Sequence, residues 1–179
     1  MELNEKTIES TIAFSGKLVK LRVDKVVLPN GKEAVREVVE HRGAIAAVPL
    51  TADKNVIMVR QYRQAAGQVL LEIPAGTLET NESPEKCAER ELMEEIGYKP
   101  GKLTLMFTSY LAPGYSSELL YTFLAEDLSE NKLKTDADEL IDVVCMPLIN
   151  AIDMIRSGEI KDAKTICGLL CAQRIVFNC

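Results

Sequence analysis

Tryptophan is absent from this chain, and histidine occurs once, at His41. A metal centre built on several imidazoles is therefore excluded, and His41 is read as structural. Any flat aromatic slot must draw on the four phenylalanines and five tyrosines. No apolar run approaches the ~20 residues of a membrane-spanning helix. The opening Met1-Glu2-Leu3-Asn4-Glu5-Lys6 lacks the basic-then-apolar pattern of a secretory leader. Positive charge is in deficit, with 21 Lys and Arg against 27 Asp and Glu and a net charge of −6. That argues against nucleic acid as a main partner, because a phosphate backbone needs a basic face. A small phosphorylated ligand stays open, since a bound cation can supply positive charge locally. The cysteines, Cys87, Cys145, Cys167, Cys171 and Cys179, are odd in number and none are spaced Cys-x-x-Cys. Free thiols in a reducing cytoplasm fit that pattern. Cys167 and Cys171 are expected to pack in the core of a helix rather than to hold a soft metal.

What is present is an ordinary globular composition, 47% apolar and 27% charged over 179 residues. That length carries one domain with a proper core. Residues 1–42 read as a β-rich arm. Ile8, Ile12 and Phe14, then Leu18, Leu21, Val23, Val26 and Val27, are spaced as short strands around a turn at Pro29-Asn30-Gly31-Lys32. Residues 43–179 read as the main domain. Its apolar runs at 45–50, 55–60, 69–73, 103–107, 119–125 and 141–147 predict strands. Helices are predicted over 84–96, 149–156 and about 162–177. The first of these has Ser83 as its N-cap, Pro84 at its first position and Gly97 just past its end. The pattern is α+β, a mixed sheet with helices packed on it, rather than a regular βαβ alternation.

The helix predicted at 84–96 carries the chemistry. At about 100° per residue, Glu91, Glu94 and Glu95 fall in one sector, and Leu92 and Ile96 can face the core. Like charges so close repel, and a bound cation would relieve them. Clustered carboxylate oxygens are hard ligands that suit Mg²⁺ or Mn²⁺. Glutamate-rich helices are also often merely solvated, so context decides. Ahead of this one lies Ile73-Pro74-Ala75-Gly76-Thr77-Leu78, a strand ending in a bend, where Gly76 would let a backbone carbonyl approach the same cation.

Gly76, then Glu82 after five residues, then Arg90-Glu91-Leu92-Met93-Glu94-Glu95-Ile96-Gly97-Tyr98 after seven more, resembles the Nudix box, G-x5-E-x7-R-E-U-x-E-E-x-G-U, where U is aliphatic. Every position of fixed residue type matches; Tyr98 alone departs, at the last aliphatic place. The runs 36–41, Val59-Arg60-Gln61-Tyr62-Arg63 and Leu71-Glu72-Ile73-Pro74-Ala75-Gly76 look like the ADP-ribose pyrophosphatase branch of that family. So does Pro113, sixteen residues after Gly97.

The resemblance implies an α/β/α sandwich with a mixed sheet. It also implies hydrolysis of the pyrophosphate bond of ADP-ribose to AMP and ribose 5-phosphate. Alternatives are another nucleoside diphosphate sugar or dinucleotide, or a sensor that binds ADP-ribose without cutting it. It implies Mg²⁺, for which Mn²⁺ can substitute, held by Glu91, Glu95 and the carbonyl of Ala75, with Glu94 beside a second ion. Arg90 and Glu94 join the catalytic set, Arg90 chiefly as an ion-pair partner that orients the acids. The general base is assigned to Glu139 on a late loop, with Asp138 as the alternative and a solvated acidic turn as the bland reading. Substrate contacts are assigned to Arg36, Arg63, Pro113 and Glu118. The bland alternatives are an Arg63–Glu72 ion pair and a solvated Arg36. Phe14 is ranked ahead of Tyr62 and Tyr115 for stacking on the base, or Leu18 if the register shifts. The arm is expected to form a homodimer.

Overall fold

The computed structural model describes residues 3–133 and 140–177. The chain divides into two compact units, Met1–Gly43 with Tyr110–Leu119, and Ala44–Ser109 with Leu120–Cys179. The loop that carries Pro113 and Glu118 therefore groups with the arm, whereas the sequence placed it in the main domain.

The first unit is an antiparallel meander of β1 (Lys6–Ser15), β2 (Lys20–Val27) and β3 (Glu33–Glu40). Gly31 turns the chain between β2 and β3 at a left-handed φ of 81°, while Asn30 Oδ1 accepts the Lys32 amide at 3.0 Å. Asp24 is buried and satisfied by Ser10 Oγ at 2.7 Å and Arg22 Nε at 2.9 Å. Val39 on β3 exchanges backbone bonds with the inserted loop, donating to Tyr115 O at 2.7 Å and accepting from Ser117 N at 3.0 Å. All ten residues of β1 are exposed, including Ile8, Ile12 and Phe14.

The second unit is built on β4 (Ala44–Pro49) and β5 (Asn55–Arg63). A mixed sheet has the order β7 (Ala75–Thr77), β4, β10 (Leu119–Glu126), β9 (Lys102–Tyr110), with β4 and β10 parallel. An antiparallel sheet has the order β12 (Ile141–Pro147), β5, β6 (Gln68–Glu72). A short ladder joins β8 (Tyr98–Lys99) to β11 (Ser129–Glu130). The helices are α1 (Pro84–Glu91), α2 (Leu148–Ser157) and α3 (Ala163–Phe177). Every residue of β4 is buried, and alternation divides them between two cores. Ala44, Ala46 and Val48 join Val56 and Met58 of β5 against Ile152 of α2 and Leu169 of α3. Ile45 and Ala47 join Ile57, Val59 and Phe123 against Cys87, Ala88 and Leu92 of the first helix. The layering is the expected α/β/α arrangement. No helix among the described residues is long and apolar enough to cross a membrane.

Two expectations change. The helix over 84–96 is α-helical only to Glu91; Leu92–Ile96 is a π-helical turn, closed by the Gly97 amide on the Leu92 carbonyl with Gly97 at φ 77°. Cys167 is exposed and Cys171 half-buried. The stripe that α3 buries is Thr165, Gly168, Leu169 and Ala172, and both cysteines fall off it. Strands β8 and β11 have no counterpart in the sequence pattern, because two residues carry no measurable period, while β7 falls within the segment 73–78 read there as a strand ending in a bend.

Candidate active site

The site forms where α1 meets β7. Ser83 sits in extended backbone and its hydroxyl accepts the Lys86 amide at 3.3 Å, with Pro84 beginning the helix. This fixes the phase with which the helix turns its glutamates toward β7. The π turn keeps both Leu92 and Ile96 in the core while Glu95 stays buried beside β7.

Arg90 is the hub. Its Nε and Nη2 take the two oxygens of Glu82 at 2.9 and 3.0 Å. Its Nη1 donates to Glu91 Oε1 at 2.8 Å and to Glu94 Oε2 at 3.0 Å. A planar fork suits this bidentate work. The Arg90 guanidinium holds the Glu82 carboxyl down to about 2, against burial, with help from the Glu79 amide. Glu82 in turn raises the pKa of Arg90. Burial pushes the Cys87 thiol up, so it is neutral at ordinary pH and inert as a nucleophile.

Glu91 and Glu95 are 9% and 7% exposed. A Cβ on Gly76 would lie 1.8 Å from Glu91 Oε1 and 1.9 Å from its Cδ. Gly76 has no left-handed φ; glycine is required there because the Glu91 carboxylate lies against its backbone. The sequence suggests that Gly76 admits a carbonyl to the cation, and the structure shows it admitting a carboxylate. The Ala75 amide donates to Glu95 Oε2 at 3.1 Å, so at Ala75 the group engaged is the N–H. Among the described residues no three acidic or sulfur ligands form a ready metal cluster: Glu91 and Glu94 turn to Arg90, and Glu95 to Ala75. The donors still fit a hard divalent cation. They are carboxylate oxygens, two are buried, and one guanidinium faces an excess of negative charge.

The remaining expected site residues fall as follows. Arg63 makes a two-bond pair with the buried Glu72, Nε to Oε1 and Nη2 to Oε2, both at 2.8 Å. This is the ion pair named above as its bland alternative, although its side chain remains 40% exposed. In the first unit Arg36 pairs with Glu5 through Nε at 3.0 Å and Nη2 at 2.6 Å. Phe14, Leu18, Tyr115 and, in the second unit, Tyr62 are exposed. Pro113 lies in a turn whose Ala112 carbonyl accepts the amides of Tyr115 and Ser116. Glu118 is half-buried, with its amide on Ser116 Oγ. His41 Nδ1 accepts the Gly43 amide at 3.1 Å, a local structural bond. Glu139 and Asp138 lie outside the described residues. Sequence reasoning misses Lys164, which pairs with both Glu72 and Asp162, and Thr165, which bonds Asp162 and the Ile73 amide. Asp162 followed by Thr165 is the available signal, as a helix-capping pattern.

A NUDIX domain model matches residues 40–167, and a model for the N-terminal domain of nucleoside diphosphate sugar hydrolases matches residues 5–39. The chain belongs to the Nudix family. Nudix hydrolases require a divalent cation, in accord with the acidic site. The chain is 46% identical over 165 residues to the ADP-ribose pyrophosphatase of Bacillus subtilis, covering 91% of this chain and 89% of that one. It is 40% identical to a methanol dehydrogenase activator of Bacillus methanolicus, covering 90% and 89%. It is 38% identical to a GDP-mannose pyrophosphatase of Yersinia pestis, covering 79% and 76%. Among solved structures, an ADP compounds hydrolase shares the fold with a TM-score of 0.88 at 23% identity, covering 99% of this chain and 97% of that chain.

Proposed function

We propose that this Nudix protein hydrolyses the pyrophosphate bond of ADP-ribose to AMP and ribose 5-phosphate, in the cytoplasm, with Mg²⁺ as its working cation and Mn²⁺ able to substitute. The observation that carries the substrate is the 46% identity, over nine-tenths of both chains, to an ADP-ribose pyrophosphatase. The observation that carries catalysis rather than passive binding is that Glu82, Glu91, Glu94 and Glu95 are all present, the first three bonded to Arg90 and Glu95 to the Ala75 amide.

Glu91 and Glu95 would hold the cation, with the Ala75 carbonyl and Glu94 as further donors. When bound there, the cation would polarise the pyrophosphate and offset its charge. Water adds to one phosphorus, the bridging P–O bond breaks, and the proton of the water passes to a base. That base is assigned to Glu139, then Asp138, then Glu94. Arg90 keeps the acids oriented and does not itself meet the substrate. Arg63 supplies an anchored guanidinium for a phosphate; by the family resemblance Arg36, Phe14, Pro113 and Glu118 also contact the substrate. The arm makes the protein a homodimer, a reading supported by the exposed Ile8, Ile12 and Phe14 of β1.

A panel of ADP-ribose, GDP-mannose and dinucleotides, run with Mg²⁺ and with Mn²⁺ and resolved by product, tests the function. ADP-ribose should be cut fastest, with equal AMP and ribose 5-phosphate. Faster cleavage of GDP-mannose would move the substrate. Tight binding of ADP-ribose without cleavage would make the protein a sensor, and full activity in excess chelator would remove the metal. A monomeric mass by light scattering at micromolar concentration would refute the dimer.

A further inference from the structure

We propose that Thr165 and Lys164, on the first turn of α3, are positioning residues for the cation site, acting through Ile73 and Glu72 on the segment that leads into Ala75 and Gly76. The proposal rests on the metal-dependent reading above.

The connection is continuous. Asp162 caps α3: its Oδ2 accepts the Thr165 amide at 3.0 Å and the Thr165 hydroxyl at 2.6 Å. The same hydroxyl oxygen accepts the Ile73 amide at 2.9 Å, a fully buried bond. One buried hydroxyl thus ties the cap of α3 to the backbone two residues before Ala75. Lys164 holds the preceding residue. Its Nζ bonds Glu72 Oε2 and lies 3.0 Å from Asp162 Oδ2. Glu72, 1% exposed, spends its oxygens on Lys164 and on the fork of Arg63. Arg63 is near enough to Glu95 to feel its charge. Beyond Ile73, the Pro74 carbonyl accepts the Ala47 amide at 2.9 Å and the Ala75 amide reaches Glu95 at 3.1 Å. Steric fit gives an independent sign. A Cβ on Gly168 would lie 2.9 Å from Ile73 Cδ1 and 3.2 Å from Val48 Cγ2, so the inward face of α3 is shaped to seat against Ile73.

Thr165 and Lys164 are not among the groups assigned to the cation or the substrate. They fix where the Ala75 amide points, and thereby the rotamer of Glu95. Partners that orient a metal ligand from behind usually cost ~10–100-fold in metal affinity or activity when removed.

The test compares Thr165→Val with Thr165→Ser, and Lys164→Met with Lys164→Arg, by three readouts. The first is hydrogen exchange of the Ala75 amide in metal-free protein. The second is Mn²⁺ affinity by electron paramagnetic resonance without nucleotide. The third is kcat against KM for ADP-ribose. Thr165→Val should lose protection at Ala75, weaken Mn²⁺ about tenfold and lower kcat more than it raises KM. Thr165→Ser should restore all three; Lys164→Met should show a smaller Mn²⁺ loss, rescued by arginine. Lower thermal stability with unchanged Ala75 protection and Mn²⁺ affinity would overturn the proposal. A wild-type protein that binds no Mn²⁺ would instead sink the metal reading, while Ala75 exchange still reports whether Thr165 positions Glu95. Should Thr165→Val fail to fold, Lys164→Met decides in its place: unchanged Ala75 exchange and Mn²⁺ affinity in it overturn the proposal.

Discussion

Two clusters of acids lie close together in the second unit, and they differ in balance. Around Glu72 two carboxylates, Glu72 and Asp162, meet two cations, Arg63 and Lys164. Around Arg90 the carboxylates of Glu82, Glu91 and Glu94 share one guanidinium, with Glu95 buried beside β7. Both contain buried acids, so burial does not distinguish them. Charge balance does. The first cluster is closed, and burial, which pushes the Glu72 carboxyl up, is outweighed by Arg63 and Lys164, so its pKa ends below the usual carboxylate range. In the second, three carboxylates bond the single guanidinium of Arg90, an arrangement that suits a divalent cation. Several carboxylates gathered on one guanidinium suit a cation site, whereas one-to-one pairing suits a structural role.

Neutralising one acid in each cluster should therefore break different properties. Glu91→Gln and Glu95→Gln remove a ligand from the unbalanced cluster. Activity should fall on the order of 10²-fold or more, which is about 2.7 kcal/mol of transition-state stabilisation. The fold should survive, since losing one of several like charges relieves repulsion. Steady-state rates beside thermal melts decide this; unchanged kcat/KM in both variants would mean that neither carboxylate holds the cation. Glu72→Gln does the reverse. It leaves Arg63 and Lys164 without their shared anion, and breaking one side of a buried pair typically costs ~3–5 kcal/mol. Arg63 is 40% exposed and solvent screens part of that, so about 2–3 kcal/mol is expected. In a domain of this size that lowers Tm by roughly 5–10 °C. A Glu72→Gln protein with wild-type Tm would show that the balanced cluster stabilises nothing.

Much of the second cluster is legible in the sequence because its residues lie on one helix, where spacing converts directly into a shared face. Glu91, Glu94, Glu95 and Arg90 need only a helical period and a cap at Ser83. The π turn is not legible, because Leu92–Ile96 has the composition of an α-helix and the widening comes from the way Gly97 closes on Leu92. The role of Gly76 is half legible. A glycine before an acidic helix signals close approach, but only the three-dimensional register shows that Glu91 is what approaches. The cluster at Glu72 is nearly invisible. Lys164 and Thr165 lie 92 residues from Glu72 and Ile73, respectively, and no local period links positions that far apart. The strands of the main domain are legible through their apolar runs. The alternation of β4 into two cores is not, because all six of its residues are buried and the run shows no polar face.

The smallest expected effect concerns acid. The Glu82 carboxyl is held at about 2, below its ordinary value of 4.5, first by the bond from Arg90 and against burial. A depressed folded pKa means that the unfolded chain binds the proton more readily. The stability contributed by Glu82 is then fully present above about pH 4.5 and is lost as pH falls toward 2. Glu82→Gln removes that dependence. Denaturant midpoints of the wild type and of Glu82→Gln should therefore differ most at neutral pH and converge between pH 4.5 and 2. Glu72 is also depressed and remains in both proteins, so its acid lability cancels in the comparison. The size of the gap is modest, because the Glu82 side chain keeps some access to solvent, 12% by area. The sign is what matters. A gap that widened on acidification would mean that Glu82 is held protonated in the native state, and Arg90 could not then be the group that organises the unbalanced cluster.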